Sequence, residues 1–522
     1  MRMWGIAGAA LGAASWAGLA AGAWAQDPVS GGTLHVVVQP EPPMLMQGLN
    51  QNGPTNMIAG NIYESLLRFS PDLEPQPSLA ESWEVSEDGL TYTFTLQEGV
   101  TWHDGEPFSS ADVVFTLDVF LREVHPRWRP IVNAQVEAIT APDERTVEIR
   151  LKRPFGPLLF TQEVASAPIV PRHLYEGTDF AANEMNDTPI GTGPFRFEGW
   201  ERGSYVHLVK NEDYWMEGRP YLDEVYFRFI PDAAARAVAF ENDEVDVLTG
   251  GAVDNFDVER LSEDEDVCVT TSGWEMFAPH AWITVNHREG ILGNQQFRQG
   301  LMHAIDREFG RDVVWNGYGK IPTGPISSKT RFYDADVPTY DYDPDRAREL
   351  IEASGYEGET IEFLALPYGE TWTRWAEAIR QNLSDVGVNM EIVSTDVPGW
   401  TQRTSNFDFD LTFNFLYQLG DPAIGVARSY ITENIVQGNP FGNVGGYSNE
   451  EADRLFAAAA NASTDEERQA LYSEVQALLA EDLPVLWLLE MEYPTIHDCA
   501  VQNFPTTAVG INDGLRDAWL AQ

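Results

Sequence analysis

Between residues 83 and 121 the spacing of apolar positions changes from a period of two to that of a helix. Trp83 and Val85 alternate with charged neighbours, and Tyr92, Phe94 and Leu96 alternate again beyond Glu87-Asp88-Gly89. Two such runs around turn residues predict a hairpin with one buried face. After a second turn at Asp104-Gly105, Val113, Val114, Leu117 and Leu121 share one side of a helix that Ser109 or Ser110 is placed to cap.

The rest of the chain alternates strands and helices. Strands are predicted where Leu34, Val36 and Val38 alternate, over 136–151 with a turn at Pro142-Asp143-Glu144, and at 244–248, 281–286, 360–366, 388–393 and 485–489. Helices are predicted over 57–67, 297–314, 372–386 and 465–480. Asp232 caps a further helix at 233–240, and Asp343 caps one that has Pro344 in its first turn and ends at Gly355. Ser448 with Glu451 reads as a capping box for a helix reaching Ala460. Mixed order without repeats or low-complexity linkers points to an α/β protein with interleaved lobes.

Length and charge narrow the class. The chain has 522 residues, 43% of them hydrophobic, enough for more than one core. The formal net charge is -48, with lysine only at 152, 210, 320 and 329. Such a surface repels nucleic acid and anionic membranes, so neither is an expected partner. Residues 6–21 are small and apolar and lead to Ala23-Trp24-Ala25, which predicts an export signal over 1–25 that leaves Gln26 first. Export permits a disulfide, and the two cysteines, Cys268 and Cys499, are too far apart for a CxxC metal or redox motif.

Enzyme chemistry finds no footing. GxSxG, HExxH and GxxxxGK[ST] are absent, and the nine histidines are scattered. Gly191-Thr192-Gly193 lacks the third glycine of a dinucleotide loop and the GK[ST] of a phosphate loop, so a backbone role is expected of it. No metal or other cofactor is expected, and an exported hydrolase is the remaining enzymatic alternative.

The order of these segments is more specific than any one of them. The stretch 79–117 with its Trp102-His103-Asp104-Gly105 run resembles the signature segment of the family 5 extracellular solute-binding proteins. So do Tyr63-Glu64-Ser65-Leu66-Leu67, Ile190 to Phe195, Lys210 to Trp215 and the Ala304-Ile305-Asp306-Arg307 run, in the same order. The resemblance implies a periplasmic-binding-protein fold of type II: two hinged α/β lobes and an extra subdomain inserted in the first. It implies a first lobe from 26–67, 187–267 and 499–522, a subdomain at 68–186 and a second lobe at 268–498. It also implies a monomer in the periplasm that delivers a peptide or other small solute to an ABC permease.

Site residues follow from the same resemblance. Peptide binders of the family hold the ligand's amino group with an Asp in a Trp-x-x-Asp-x-x-Asp-Pro run. The corresponding run here is Phe415 to Pro422, with Tyr417 inside it. Asp421-Pro422 fixes the register, so Gln418 stands at the amine-binding position and Phe415 at the Trp. An amide cannot neutralise a buried ammonium, which disfavours ordinary peptides and keeps oligosaccharides and opines open as ligands. Met44, Trp400, Tyr417, Gln418 and Asp421 are candidate ligand contacts, with Arg428 a candidate partner for a ligand carboxylate. Cys268 and Cys499 fall near the expected crossings between lobes, where a bond between them is expected.

Overall fold

The computed structural model describes residues 27–288 and 290–521; the expected export signal lies outside them. Two separate sheets organise these residues. The first has seven strands in the order Val267–Thr270, Thr495–Asp498, Val247–Leu248, Thr33–Val37, Glu224–Arg228, Tyr205–Lys210 and Phe195–Glu201. Thr33–Val37 lies parallel to both neighbours. Its Leu34, Val36 and Val37 are wholly buried, as a central strand covered on both faces requires.

The second sheet runs Met390–Val393, Ile361–Leu364, Leu411–Leu416, His280–Val285 and Val485–Glu490. Every residue of the last two strands is buried. Helices Gln295–Ala304, Glu370–Asp385 and Asp465–Asp482 supply side chains to the same core. A third, antiparallel sheet of Ala80–Val85, Thr91–Leu96, Thr146–Leu151 and Val136–Asp143 forms the inserted unit. Among the described residues no helix is long and apolar enough to cross a membrane.

The Trp102-His103-Asp104-Gly105 run has a structural use. The buried His103 holds the 191–193 loop through both ring nitrogens. Gly191 N–H donates to Nδ1 at 3.2 Å and Nε2–H donates to the Gly193 carbonyl at 3.0 Å. His103 N–H also donates to the Gly191 carbonyl at 2.9 Å. A neutral ring is required, and burial pushes its pKa down to about 4. The glycines are dictated by crowding. A Cβ on Gly191 would lie 1.9 Å from the Ile62 carbonyl oxygen, and one on Gly193 2.5 Å from the same atom.

Local details depart from the sequence reading in five places. The helix expected at 57–67 is Gly53–Ala59, capped by Asn52 with Pro54 in its first turn. It stops because the chain at Gly60 runs against the Asn512 carbonyl, 1.8 Å from where a Cβ would sit. The helix expected at 297–314 breaks after Ala304, where Ile305 is extended and Asp306 caps a new turn by accepting from Phe309 N–H. Asn449, not Ser448, caps Glu450–Asn461. Trp400 lies in a helix, Val397–Ser405, capped by Asp396, and not in a loop. Val267–Thr270, with Cys268, pairs with Thr495–Asp498 inside the first sheet, so the second sheet's strands start only at His280.

Candidate functional site

Two segments, 271–279 and 491–494, carry the chain between the sheets. They leave from adjacent antiparallel strands that Cys268 and Cys499 join by a disulfide, with Cα atoms 5.0 Å apart. The bond closes a loop of 231 residues. By chain entropy such a closure destabilises the unfolded state by roughly 5 kcal/mol. Both crossings are therefore rooted in one fixed corner of the first lobe.

The strand Leu411–Leu416 ends beside these crossings and passes into the loop 417–421. Leu419 and Gly420 both have positive φ, 54° and 69°. Gly420 also has no room for a side chain: a Cβ would lie 2.8 Å from the Met276 sulfur and from the Phe160 ring. Phe160 belongs to the inserted unit, so the loop closes against the first lobe. Leu419 packs into the first lobe's apolar cluster, and Arg331 of the second lobe stands 5.0 Å over the Phe160 ring. The lobes meet along this seam.

Asp421 is wholly buried beside the same seam, with Arg331 Nη1 3.9 Å from its carboxylate. Its carboxylate caps Ala423 N–H at 3.0 Å, and both its oxygens accept from Arg468 Nη2 at 2.8 Å. A buried pair of this kind fixes the loop's shape. Gln418 is equally committed. Its Oε1 accepts from Ser327 N–H at 2.8 Å, and its Nε2 donates to the Pro325 carbonyl and to His280 Nδ1, each at 2.9 Å. Its own N–H donates to the Phe277 carbonyl at 2.7 Å. A carboxylate could make only the first of these contacts, since it accepts and donates nothing. An amide with two donors and one acceptor is what this junction of three segments requires, and burial keeps His280 neutral by lowering its pKa to about 3.

Trp400 is 1% exposed. Its indole N–H donates to Thr412 Oγ1 at 3.0 Å within the second lobe's core, which leaves no open ring face for a ligand. Met44 is half-buried in the loop after the first strand, where its carbonyl accepts from Thr55 Oγ1 at 3.0 Å. Tyr417 differs from these. It is 38% exposed although Phe277 and Phe415 flank it at 5.4 and 6.4 Å. It is one member of an aromatic row that begins on the crossings with Tyr493 and Trp274, 4.9 Å apart. The row continues through Phe277, Tyr417 and Phe415 to Tyr368, itself 45% exposed. Trp274 and Tyr368 were not legible as candidates: no spacing rule links residues brought together from four segments.

Arg428 hangs below Tyr417. Its Nη2 donates to the Tyr417 carbonyl at 2.9 Å and its Nε to the Gly425 carbonyl at 3.0 Å. Burial first, and then the nearby charge of Arg127, lower its pKa to about 10. Among the described residues no cluster of His, Cys, Asp and Glu is arranged to hold a metal ion.

Known proteins resemble this chain over most of its length. The chain is 26% identical over 511 residues to the oligopeptide-binding protein AppA of Bacillus subtilis, covering 92% of this chain and 89% of that one. It is 27% identical over 453 residues to the glutathione-binding protein GsiB of Pectobacterium atrosepticum, covering 83% of each. Among solved structures, the ABC transporter substrate-binding protein CtaP of Listeria monocytogenes superposes with a TM-score of 0.85 at 25% identity, over 94% of this chain and 100% of that one. The periplasmic binding protein DppA of Helicobacter pylori, in complex with the peptide STSA, superposes at 0.79 with 25% identity, over 95% and 99%. The model of the bacterial extracellular solute-binding proteins, family 5 (middle), matches residues 74–434, and the chain belongs to that family.

Proposed function

We propose that the protein is the receptor of an ABC importer, exported through a cleaved signal and working as a monomer in the periplasm. It takes a small solute of peptide or peptide-like kind between its lobes, and the closed, loaded form docks on the permease. The observation that carries this reading is the aromatic row, which leaves the faces of Tyr417 and Tyr368 open beside a loop fixed at both ends. Aromatic faces beside a few fixed polar groups are the usual lining of a ligand cleft. Relatives named for oligopeptides and for glutathione support the peptide-like class.

Within this reading Met44, Tyr417 and Arg428 touch the solute, while Gln418, Asp421 and Trp400 hold the wall that presents them. Closure is then a shift in population toward the state that the ligand fits better. A second ligand class, opines or oligosaccharides, is favoured by Gln418, whose amide is spent inside the lobe and leaves no carboxylate there for an amine. A thermal-shift screen with di- and oligopeptides, glutathione, opines and oligosaccharides separates the classes, since a specific ligand raises the melting point by mass action. If nothing in the panel shifts the transition while chromogenic ester or glycoside substrates are turned over, the receptor reading is wrong.

A further inference from the structure

The inserted unit touches the second lobe as well as the first. Its short helical segment Gly156–Thr161 has Pro157 in the first turn and meets the second lobe at both ends. At one end Gly156 faces Arg468, where a Cβ would lie 3.3 Å from the guanidinium. Near the other, the Phe160 ring faces Gly420, as above. Phe160 also stacks on Phe69 at 5.0 Å, so it is rooted on its own side. Arg331 spans the two sides. Its guanidinium lies over Phe160 and over Phe332 of the second lobe, at 5.0 and 4.6 Å, and it pairs with Asp465 on the helix Asp465–Asp482. Ile424 and Ala460 of the second lobe pack against the apolar cluster that holds Phe155, Leu158 and Phe160.

Leu419 shows which arrangement this contact favours. Its φ of 54° is one that a leucine rarely adopts, and its side chain is buried in the cluster of the opposite lobe. Such a backbone persists only where its surroundings hold it. Parting the lobes here would return Leu419 and Phe160 to water and remove the cation from the ring, and all three changes are unfavourable. The contact also has extent. It starts at Met276 on one crossing and runs through Gly420 and Phe160 to Gly156 and Arg468. A rotation of the second lobe that keeps Met276 in place must slide or part the remainder.

We propose that the inserted unit is a latch: Phe160 and its segment grip Leu419, Gly420 and Arg331 and hold the lobes closed without a solute. The inference rests on the receptor reading above and adds to it a use for the inserted unit. Every contact in the grip is between protein groups, so its strength is the same whatever solute is offered. Solute-independent closure raises the population of the state that binds, and that population enters every dissociation constant alike. The latch thereby sets a common level of affinity, while the cleft sets the differences between ligands.

The test is small-angle X-ray scattering of the full chain without solute, for the wild type, F160A and R331A. The wild type should scatter as the compact, closed form, and both variants should show a larger radius of gyration, F160A by more. Equal scattering from all three makes the seam a passive pivot and overturns the latch, as does a wild type that is already open. This arm needs no solute, so a thermal-shift panel without a hit defeats the receptor reading and leaves the latch to be judged by scattering. With two solutes from the panel, F160A should lose affinity for both by one factor, about tenfold. Losses that differ between the two would place Phe160 against the ligand and overturn the latch. Should F160A fail to fold, R331A carries the comparison, since its side chain is more than a quarter exposed and belongs to neither core.

Discussion

Around His103 both ring nitrogens and the main-chain N–H have partners inside the protein, whereas the buried Nε of Arg127 has none among the described residues. Both regions are polar knots at the edge of the inserted unit, built from short loops held by long side chains. The first closes on itself and is part of the scaffold. The second leaves a buried donor unspent. The run that identifies the family by eye is thus structural.

The comparison breaks most severely at Asp421, the buried end of the loop 417–421. D421A leaves Arg468 charged and alone at 2% exposure. Loss of one partner of such a pair costs about 3–5 kcal/mol. Chemical denaturation should show that loss, and affinity for any solute should fall with it because the loop loses its anchor. Reduction of the Cys268–Cys499 bond should lower stability by an amount of the same order, up to roughly 5 kcal/mol. Because the bond lies behind the crossings and not in the cleft, affinity in the cold should survive reduction. A reduced protein that is stable yet no longer binds would show that the corner positions the lobes and does not merely restrain the unfolded chain.

His103 gives the next effect, with a sign. Its folded pKa, pushed down to about 4 by burial, lies below the ordinary value of 6.5. Protons therefore favour the unfolded chain. The contribution of the His103 ring is whole above about pH 6.5 and is lost as pH falls toward 4, at about 1.4 kcal/mol per pH unit. H103Q removes the titrating group, so the stability gap between wild type and variant should narrow by that slope between pH 6.5 and 4.5. A gap independent of pH would mean that the ring is not held neutral by the 191–193 loop.

Much of this architecture was readable because its elements obey single periods. The hairpin of Ala80–Val85 and Thr91–Leu96, the cap at Asp343 and the helix Asp465–Asp482 follow from spacing and local caps alone. Elements escaped where a distant contact overrode the local pattern. Residues 60–66 continue an apolar rhythm, yet Asn512 and the 191–193 loop occupy the space a helix would need. Ile305 fits the helical pattern of its neighbours, but Asp306 prefers to cap, and the chain turns there. Trp400 had an overlooked local sign, since Asp396 with Pro398 two residues on marks a helix start. The lobe boundary had none: Cys268 and His497 pair across more than two hundred residues. The site divides the same way. The register of Gln418 and Asp421 is local, but whether their polar atoms face a ligand or the protein is decided by Ser327, Pro325, His280 and Arg468.

Gln418 sharpens the contrast at smaller scale. Q418E keeps the length but removes two donors, leaving the Pro325 carbonyl unpaired unless His280 changes its tautomer. Leaving such a group buried and unsatisfied costs about 1–3 kcal/mol. The melting point should drop without any new preference for amine-bearing ligands. A gain of affinity for free-amine peptides would instead put this side chain in the cleft, against the bonds it makes here.

Tyr417 should give the smallest change in stability and the most informative change in binding. It is more than a third exposed, and its ring is held by Phe277 and Phe415 and not by hydrogen bonds to the core. Truncation at such a surface position usually moves stability by less than about 0.5 kcal/mol. An aromatic face in contact with a ligand is worth about 0.5–1.5 kcal/mol beyond its buried area. Y417A should therefore melt close to the wild type yet bind its solute about tenfold more weakly. Y417F, which keeps the face and removes only the hydroxyl, should bind nearly as well as the wild type. If Y417A bound as tightly as Y417F, the row would be an exposed margin of the second lobe's core.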